Sequence, residues 1–238
     1  METEKKTVLI TGADAGLGLS LVKRFLQGGF AVFAGVHRSM DALNVLASEY
    51  GDALSPILLN VADLESVRAA ARQVSGQTDT LDIVINNAGI HLKNSQGPLE
   101  ELDFSDQQLQ QTMEVNAFGP LRVVQQFYPL LEKGGQKLIL NISSEAGSIA
   151  DCRRENQFAY CMSKAALNMQ SKILHNYLEP RGFRVLTVHP GWMRTNMGGP
   201  SAAIDSDESA AGIFDLAVGE PKPGDAMYMD YRGEPLPW

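Results

Sequence analysis

The chain alternates short runs of apolar and β-branched residues with longer segments in which apolar residues recur every three or four positions. The short runs predict strands and the longer segments predict amphipathic helices, because side-chain direction repeats every two residues in a strand and every 3.6 in a helix. We predict strands at residues 7–11, 31–36, 55–59, 83–86, 137–142 and 184–189. We predict helices at residues 18–28, 40–50, 64–75, 105–131 and 156–178.

This order of elements predicts an α/β fold. The predicted strands are nearly continuous apolar runs, which is typical of a parallel sheet covered by helices on both faces. The commonest such arrangement is a doubly wound Rossmann fold with three α/β/α layers, here as a single domain over residues 1–238. From Gly198 the composition shifts to Gly, Pro, Ser, Ala and Asp, which predicts a mobile segment before a final strand near residues 226–229.

Composition narrows the choice of function. The 238 residues are 44% hydrophobic and 20% charged, which fits one soluble domain and excludes dominant disorder. A net charge of −8 with scattered basic residues argues against a nucleic-acid partner. No apolar run approaches the roughly 20 residues of a membrane span, and no signal peptide is evident, so we predict a cytoplasmic protein without membrane contact. Cys152 and Cys161 lack metal spacing and the histidines are isolated, so we predict reduced thiols and no metal.

A glycine-rich turn follows the first predicted strand, with the sequence Thr11-Gly12-Ala13-Asp14-Ala15-Gly16-Leu17-Gly18. Gly12 permits a tight turn, while Gly16 and Gly18 would let the backbone approach a pyrophosphate at the positive end of the next helix. A turn of this kind that binds no ligand is the alternative. The spacing differs from the G-x-G-x-x-G fingerprint, and T-G-x-x-x-G-x-G resembles the turn of the short-chain dehydrogenase/reductase family.

Further motifs carry this resemblance, in order, through residue 195. They are Asn86-Asn87-Ala88-Gly89 after the fourth strand, Asn116 in the long helix, Asn141-Ile142-Ser143-Ser144 at the end of the fifth strand, Tyr160-x-x-x-Lys164 in the next helix, Pro190-Gly191 after the sixth strand, and Thr195. Residues 189–199 and 233–238 further resemble the C-factor and sniffer-type carbonyl reductase branch.

Tyr160 and Lys164 are four residues apart and therefore share one helix face, although such a pair alone is usually structural. The family resemblance implies that Tyr160 is the general acid/base for hydride transfer between a nicotinamide and a carbonyl or alcohol carbon. It also implies that Ser144 hydrogen-bonds the reacting oxygen and that Lys164 holds the nicotinamide ribose. A lysine ammonium about 4 Å away would lower the pKa of Tyr160 from about 10 toward the working pH.

Two features near Ser144, Tyr160 and Lys164 each allow two interpretations. Asn116 resembles the family residue that kinks its helix and anchors a water between Lys164 and solvent, or it is a buried asparagine that satisfies helix backbone. Ser143 is a packing or hydrogen-bonding neighbour of Ser144. The interval between Ser144 and Tyr160 is a few residues longer than the family's usual interval, and the extra length falls in the polar residues 151–156. This loop lies near the substrate entrance or is plain solvated surface.

The resemblance also implies a dinucleotide cofactor, and the segment after the second strand bears on its type. Gly35-Val36-His37-Arg38-Ser39 has no acid to bind ribose hydroxyls, and Arg38 suits a 2′-phosphate, so NADP is favoured. Asp14 and Ala15 argue for NAD, and Arg38 is otherwise a surface residue. The expected cofactor contacts are Gly12, Asp14, Gly16, Leu17, Gly18, Arg38, Asn60, Val61, Asn87, Ala88, Gly89, Tyr160, Lys164, Pro190, Gly191, Met193 and Thr195.

The expected substrate is a small carbonyl compound or alcohol, recognised by a loop at about residues 193–215. Trp192, Met193 and Met197 offer adaptable apolar surface there, or they pack the core. In the resembled family, the two long helices usually form the subunit interface, which implies a homodimer or homotetramer. Met169, Ile173, Leu174 and Tyr177 extend that interface or pack the core.

Two other functions remain open. The C-factor relatives raise the possibility of a nucleotide-binding signalling or regulatory protein with little turnover. A methyltransferase would also begin with a glycine-rich turn, although it would not need Tyr160 and Lys164.

Overall fold

The computed structural model describes residues 5–92, 97–103, 107–220 and 226–238. The strands are β1 (Thr7–Thr11), β2 (Ala31–Val36), β3 (Leu54–Leu58), β4 (Ile83–Asn86), β5 (Leu138–Ile142), β6 (Arg184–His189) and β7 (Tyr228–Asp230). The helices are α1 (Gly16–Gln27), α2 (Asp41–Tyr50), α3 (Leu64–Ser75), α4 (Gln107–Met113), α5 (Gly119–Leu131), α6 (Phe158–Leu178) and α7 (Ser206–Val218).

The strands form one parallel sheet in the order β3-β2-β1-β4-β5-β6-β7. This is the order of a doubly wound Rossmann fold, with its topological switch point between β1 and β4. One apolar cluster packs α1, α2 and α7 on one face, and a second packs α3, α5 and α6 on the other. The predicted fold class is therefore confirmed, since both faces of the sheet are buried as a parallel sheet requires.

Most element bounds lie within two residues of the predicted ones, and two of the shifts have evident local causes. β1, β2, β4, β6 and α3 have the predicted ends. β3 begins one residue earlier because Leu54 pairs with Val32 of β2. α6 begins at Phe158 because Gln157 has left-handed backbone geometry, with φ 62.

The helix predicted at residues 105–131 is described from Gln107 onward, and Ser105 lies outside the described residues. It consists of α4, one π-helical turn at Glu114–Phe118, and α5. π-turns insert an extra residue into the helix ladder and frequently occur at functional sites.

The mobile segment predicted after Gly198 is wrong for α7, which is a helix docked on α1. Phe214 is buried, and its ring makes an edge contact with Phe25 at 5.0 Å between centroids. Gly28 makes room for this ring, since a Cβ there would lie 2.6 Å from it. The small residues that suggested a loop instead allow close helix packing.

The C-terminal elements also limit the predicted substrate loop. Residues 206–215 belong to α7, so only residues 193–205 of the predicted range are outside a helix. β7 lies at Tyr228–Asp230, slightly later than predicted, and residues 221–225 are outside the described residues. Within the described residues, no helix is both long and apolar enough to cross a membrane.

Candidate active site

The predicted site residues meet at one edge of the sheet. Gly12 follows β1, Asn87 follows β4, Ser144 follows β5 and Pro190 follows β6. Parallel strands place their carboxyl ends on the same edge, and ligands of doubly wound folds bind there at the switch point. The topology therefore brings together side chains from distant parts of the chain.

Hydrogen bonds join the ends of β1 and β4. The Thr11 hydroxyl oxygen accepts from the backbone N–H groups of Asn87 at 3.0 Å and Ala88 at 2.9 Å. The Asn87 side-chain amide donates to the carbonyl oxygens of Thr11 at 2.8 Å and Gly12 at 3.1 Å. These contacts set the position of the glycine-rich turn relative to the Asn87-Ala88-Gly89 segment.

The turn is packed backbone against backbone. A Cβ on Gly18 would lie 2.0 Å from the Gly12 carbonyl oxygen, and one on Gly12 would lie 2.9 Å from the Ala88 Cα atom. Gly16 has a φ of 53 and lies against Thr195, whose Cγ2 atom would be 3.3 Å from an added Cβ. Because side chains are absent here, the turn forms an open backbone cradle that Thr195 borders.

The amino end of α1 faces this cradle without a side-chain cap and without an acid in its first turn. Its N–H groups and its positive dipole end therefore suit a phosphate. Leu17 is buried, so its side chain belongs to the core and only its backbone can reach a ligand.

The remaining predicted cofactor residues border the same edge at varying exposure. Arg38 is exposed after β2, and Asp14 is half-buried in the turn. Asn60 accepts a hydrogen bond from the Ala62 N–H at 3.1 Å, and Val61 is buried against Gly119. Gly191 has a φ of 81, Met193 forms a bridge with Ile204, and the Pro190 carbonyl accepts from the Ser209 hydroxyl at 2.7 Å.

Asn116 lies in the π-helical turn and is buried. Its side-chain oxygen accepts from the Ile90 N–H at 2.8 Å, and its amide nitrogen donates to the Ile90 carbonyl at 2.8 Å and to the Ser163 hydroxyl at 3.0 Å. The side chain thus clamps the loop after β4 to α6, instead of satisfying backbone of its own helix.

Lys164 is buried within the same group. Its Nζ atom donates to the Ile142 carbonyl at 2.9 Å and lies 5.8 Å from the centre of the Tyr160 ring. Gly89 is close to both, since a Cβ on it would lie 3.7 Å from Nζ and 3.4 Å from the Asn116 side-chain oxygen. The structure therefore brings Asn116, Tyr160 and Lys164 together.

Ser144 joins this group from the end of β5. Its hydroxyl lies beside Tyr160, where it acts to lower the pKa of the phenol, and its carbonyl oxygen accepts from the Tyr228 hydroxyl at 2.6 Å. The Ser143 hydroxyl instead donates to the Asn168 side chain at 2.6 Å. The two neighbouring serines therefore have different partners.

The expected effect of Lys164 on the Tyr160 pKa is wrong for this arrangement. Burial raises the pKa of Tyr160, and the hydrogen bond with Ser144 opposes the rise. Lys164 sits against the Ile142 carbonyl, and its own burial lowers the pKa of its ammonium to about 8. A full charge close to the phenol was expected, whereas desolvation has the largest effect on the pKa of both groups.

His91 lies beside Tyr160, a contact that was not predicted because the histidines are isolated in the sequence. Its ring stacks on Tyr160, with centroids 4.3 Å apart and planes 26° apart. Burial, with a smaller effect of the Arg154 charge, lowers the pKa of His91. Its Nε2 atom is buried and finds no hydrogen-bond partner among the described residues. Its position two residues after Gly89 is the only signal in the sequence for this placement.

Comparisons with known proteins agree with this geometry. A family model described as short chain dehydrogenase matches residues 6–204. The C-signal of Myxococcus xanthus is 36% identical over 172 residues, covering 72% of this chain and 100% of that protein. The solved structure of carbonyl reductase Sniffer of D. melanogaster has a TM-score of 0.90 at 28% identity, covering 99% of this chain and 100% of that one.

A further solved structure, an NADPH-bound carbonyl reductase from chicken fatty liver, has a TM-score of 0.87 at 30% identity. The match covers 99% of this chain and 100% of that one. These matches confirm the family that the sequence motifs resemble, and they include proteins of the C-factor and sniffer type.

The lowered pKa of Lys164 predicts how stability depends on pH. Between pH about 8 and about 10.4, the unfolded chain holds a proton on this lysine that the folded chain has lost. The free energy of unfolding should therefore gain up to about 3 kcal/mol from Lys164 as pH rises through this window. Lys164→Met should remove this contribution, as measured by urea unfolding at successive pH values.

Lys172→Met is the matched control, because Lys172 is exposed on the same helix. It should keep the wild-type pH dependence. An identical pH dependence in wild type and Lys164→Met would show that Lys164 has an ordinary pKa.

Proposed function

The chain belongs to the short-chain dehydrogenase family, and from that premise we propose that it is an NAD(P)H-dependent oxidoreductase of the carbonyl reductase or alcohol dehydrogenase type. It transfers a hydride between a nicotinamide and a carbonyl or secondary alcohol, with Tyr160 as the general acid/base. The observation that carries the proposal is the convergence of Ser144, Tyr160 and Lys164 beside the glycine cradle at one edge of the sheet.

The residues at this edge fit a dinucleotide. A Cβ on Gly12 or Gly18 would collide with the Ala88 or Gly12 backbone, so the shape of the cradle depends on these glycines, and the uncapped amino end of α1 presents its N–H groups at the same turn. A bound nicotinamide dinucleotide supplies or accepts the hydride. In this proposal Lys164 and Asn87 would hold the nicotinamide half, and the turn with Thr195 would hold the pyrophosphate.

The protein residues handle the proton. In the reductive direction, the Tyr160 hydroxyl donates its proton to the carbonyl oxygen, and in the oxidative direction the phenolate accepts it from the alcohol. The Ser144 hydroxyl donates a hydrogen bond to the same oxygen and so stabilises the negative charge that develops there. Asn116 keeps the Ile90 loop and α6 at a constant separation around these groups.

The proposed substrate is a small carbonyl compound or alcohol with an apolar part. Trp192 and Met197 are 57% and 50% exposed, which favours a surface or pocket role over a place in the core. Met193 is half-buried and packs against the core. These residues lie in the segment between β6 and α7.

The proposed location of the enzyme is the cytoplasm.

Tyr160→Phe tests the chemistry. The variant keeps the ring that stacks on His91 but loses the proton, so kcat for reduction of accepted aldehydes or ketones should fall at least about 100-fold. The dissociation constant for the reduced dinucleotide, measured by its fluorescence, should stay within about twofold. Tyr50→Phe on α2 is the matched control and should keep wild-type kinetics.

A near wild-type rate in Tyr160→Phe contradicts the mechanism. Dinucleotide binding without turnover across a broad panel of aldehydes, ketones and alcohols would favour the alternative function, a signalling or regulatory protein with little turnover. Family membership removes the methyltransferase alternative.

NADP is the proposed cofactor form. Arg38 is exposed at the end of β2, where the adenosine ribose lies in doubly wound folds, and no acid accompanies it in residues 35–39. Its guanidinium can pair with a 2′-phosphate through two parallel hydrogen bonds. The NADPH bound in the chicken fatty liver structure is in line with this proposal.

Arg38→Ala should raise KM for NADPH at least about tenfold, since a charge-assisted hydrogen bond contributes about 1.5–3 kcal/mol. KM for NADH should change by less than about twofold. Both KM values are measured by following the absorbance of the reduced nicotinamide. Arg72→Ala, an exposed arginine near the end of α3, is the control. Equal KM values for NADPH in Arg38→Ala and wild type would assign Arg38 to plain surface.

We also propose a homodimer or homotetramer formed through α5 and α6. Met169, Ile173 and Tyr177 on α6 are 63%, 59% and 59% exposed, so core packing does not account for them, whereas Leu174 is partly buried. A groove of about 520 Å³ lies between the helices, lined by residues that include Phe118, Leu121 and Tyr177. Contiguous exposed apolar surface of this kind marks protein contacts.

Ile173→Glu places a charge on this surface and should shift the protein toward monomer in sedimentation velocity. Val45→Glu is the matched control, because Val45 is 73% exposed on α2, outside the groove. A monomeric wild type, or an assembly that Ile173→Glu leaves unchanged, would contradict the proposed interface.

A further inference from the structure

A charged pair lies directly beside the reacting groups. Glu145 follows Ser144, and its Oε2 atom accepts a hydrogen bond from the Ser144 hydroxyl at 3.0 Å. Its Oε1 atom pairs with Arg154 Nη2 at 2.5 Å. Arg154 comes from the loop at residues 151–156, whose role the sequence left open.

Arg154 is held at both ends of its guanidinium. Nη1 donates to the Gln157 side-chain oxygen at 2.6 Å, while Nη2 binds Glu145. Gln157 has left-handed backbone geometry and precedes α6, and its carbonyl accepts from the Cys161 N–H at 3.0 Å. Arg154 therefore links the end of β5 to the first turn of α6, which carries Tyr160.

The Ser144 hydroxyl has a single hydrogen to donate. Its oxygen already accepts from the Ala146 N–H at 3.1 Å, and both Glu145 Oε2 at 3.0 Å and the neighbouring Tyr160 oxygen are acceptors for the hydrogen. In the proposed reaction, the same hydrogen must reach the substrate oxygen. Glu145 and the reacting oxygen therefore compete for it.

We propose that Glu145 and Arg154 are positioning residues of the reaction. Glu145 accepts the Ser144 hydrogen bond between turnovers, and Arg154 weakens that hydrogen bond by pairing with the carboxylate. Arg154 also offsets the carboxylate charge beside the oxygen that becomes negative during hydride transfer. The inference rests on the proposed function and adds to it a device contributed by the loop at residues 151–156.

The charged and titratable groups around Tyr160 come from several elements. They are Lys164 and Cys161 on its own helix, His91 after β4, Glu145 after β5, Arg154 on the loop, His189 at the end of β6 and Tyr228 on β7. Burial has the largest effect on the pKa of Tyr160, and Ser144 has the second largest. Next in size, the Glu145 charge raises this pKa and the Arg154 charge lowers it. The pair therefore acts on Tyr160 with opposite signs.

These signs determine the effect of each substitution. Without Arg154, the Glu145 charge is unopposed, so the Ser144 hydrogen is held more tightly and the Tyr160 pKa rises. Without Glu145, the hydrogen is free and the Tyr160 pKa falls. Removing both charges should cancel most of each effect.

The test compares Arg154→Gln, Glu145→Gln and the double variant. Arg154→Gln should lower kcat for carbonyl reduction about tenfold and move the acid limb of alcohol oxidation to higher pH. Glu145→Gln should move that limb to lower pH and raise kcat, because the Ser144 hydrogen is no longer held by the carboxylate. The double variant should return both kcat and the limb close to wild type, and KM for the dinucleotide should stay unchanged throughout.

Arg153→Gln and Glu155→Gln are the controls, since both residues are exposed on the same loop. Both should keep wild-type kinetics. Arg154→Lys keeps a cation and should retain kcat within about threefold, even where Arg154→Gln is poorly folded. An equal loss of kcat in Arg154→Gln and in the double variant would overturn the proposal, because it would show that Arg154 only anchors the loop.

Kinetics within twofold of wild type in all three variants would also overturn it. A second measurement needs no turnover: ultraviolet absorbance of tyrosinate is titrated in each protein and in its Tyr160→Phe counterpart, and the difference reports Tyr160. An unshifted Tyr160 titration in Arg154→Gln overturns the inference, whereas absence of any turnover in wild type overturns the proposed function.

Discussion

The hydrogen bonds between the ends of β1 and β4 are the contact on which the site depends. Thr11 and Asn87 hold two backbone segments close together. A Cβ atom on Gly12 would collide with Ala88, and one on Gly18 would collide with Asn87. The same closeness leaves the amino end of α1 open toward the switch point. The proposed phosphate-binding cradle thus results from strand order, one threonine and one asparagine.

A buried polar network extends from this contact toward α6. The Asn86 amide donates to the Asn141 oxygen at 2.8 Å, and the Asn141 amide donates to the Ser171 hydroxyl at 2.8 Å. Asn116 joins the loop after β4 to Ser163. Because buried polar groups are costly without partners, these bonds fix how α6 lies on the sheet and hence where Tyr160 and Lys164 stand.

Desolvation shifts the pKa values of Tyr160 and Lys164 more than the neighbouring charges do. Burial raises the pKa of Tyr160 and lowers that of Lys164, so each group favours its neutral form. Hydrogen bonds and charges from Ser144, Glu145 and Arg154 then act on the phenol. The site therefore combines buried groups on the sheet, such as Lys164 and Ser144, with the charged pair Glu145–Arg154 at its edge.

The sequence by itself determined the family, the fold class and the places of Gly12, Asn87, Tyr160 and Lys164, because these depend on local spacing and on strands that read as apolar runs. Helix α7 escaped prediction because its stability comes from packing Phe214 on α1, which composition does not reveal. Only the tertiary structure decided the stacking of His91, the pairing of Arg154 with Glu145 and the direction of the Tyr160 pKa, since each results from burial and from residues distant along the chain.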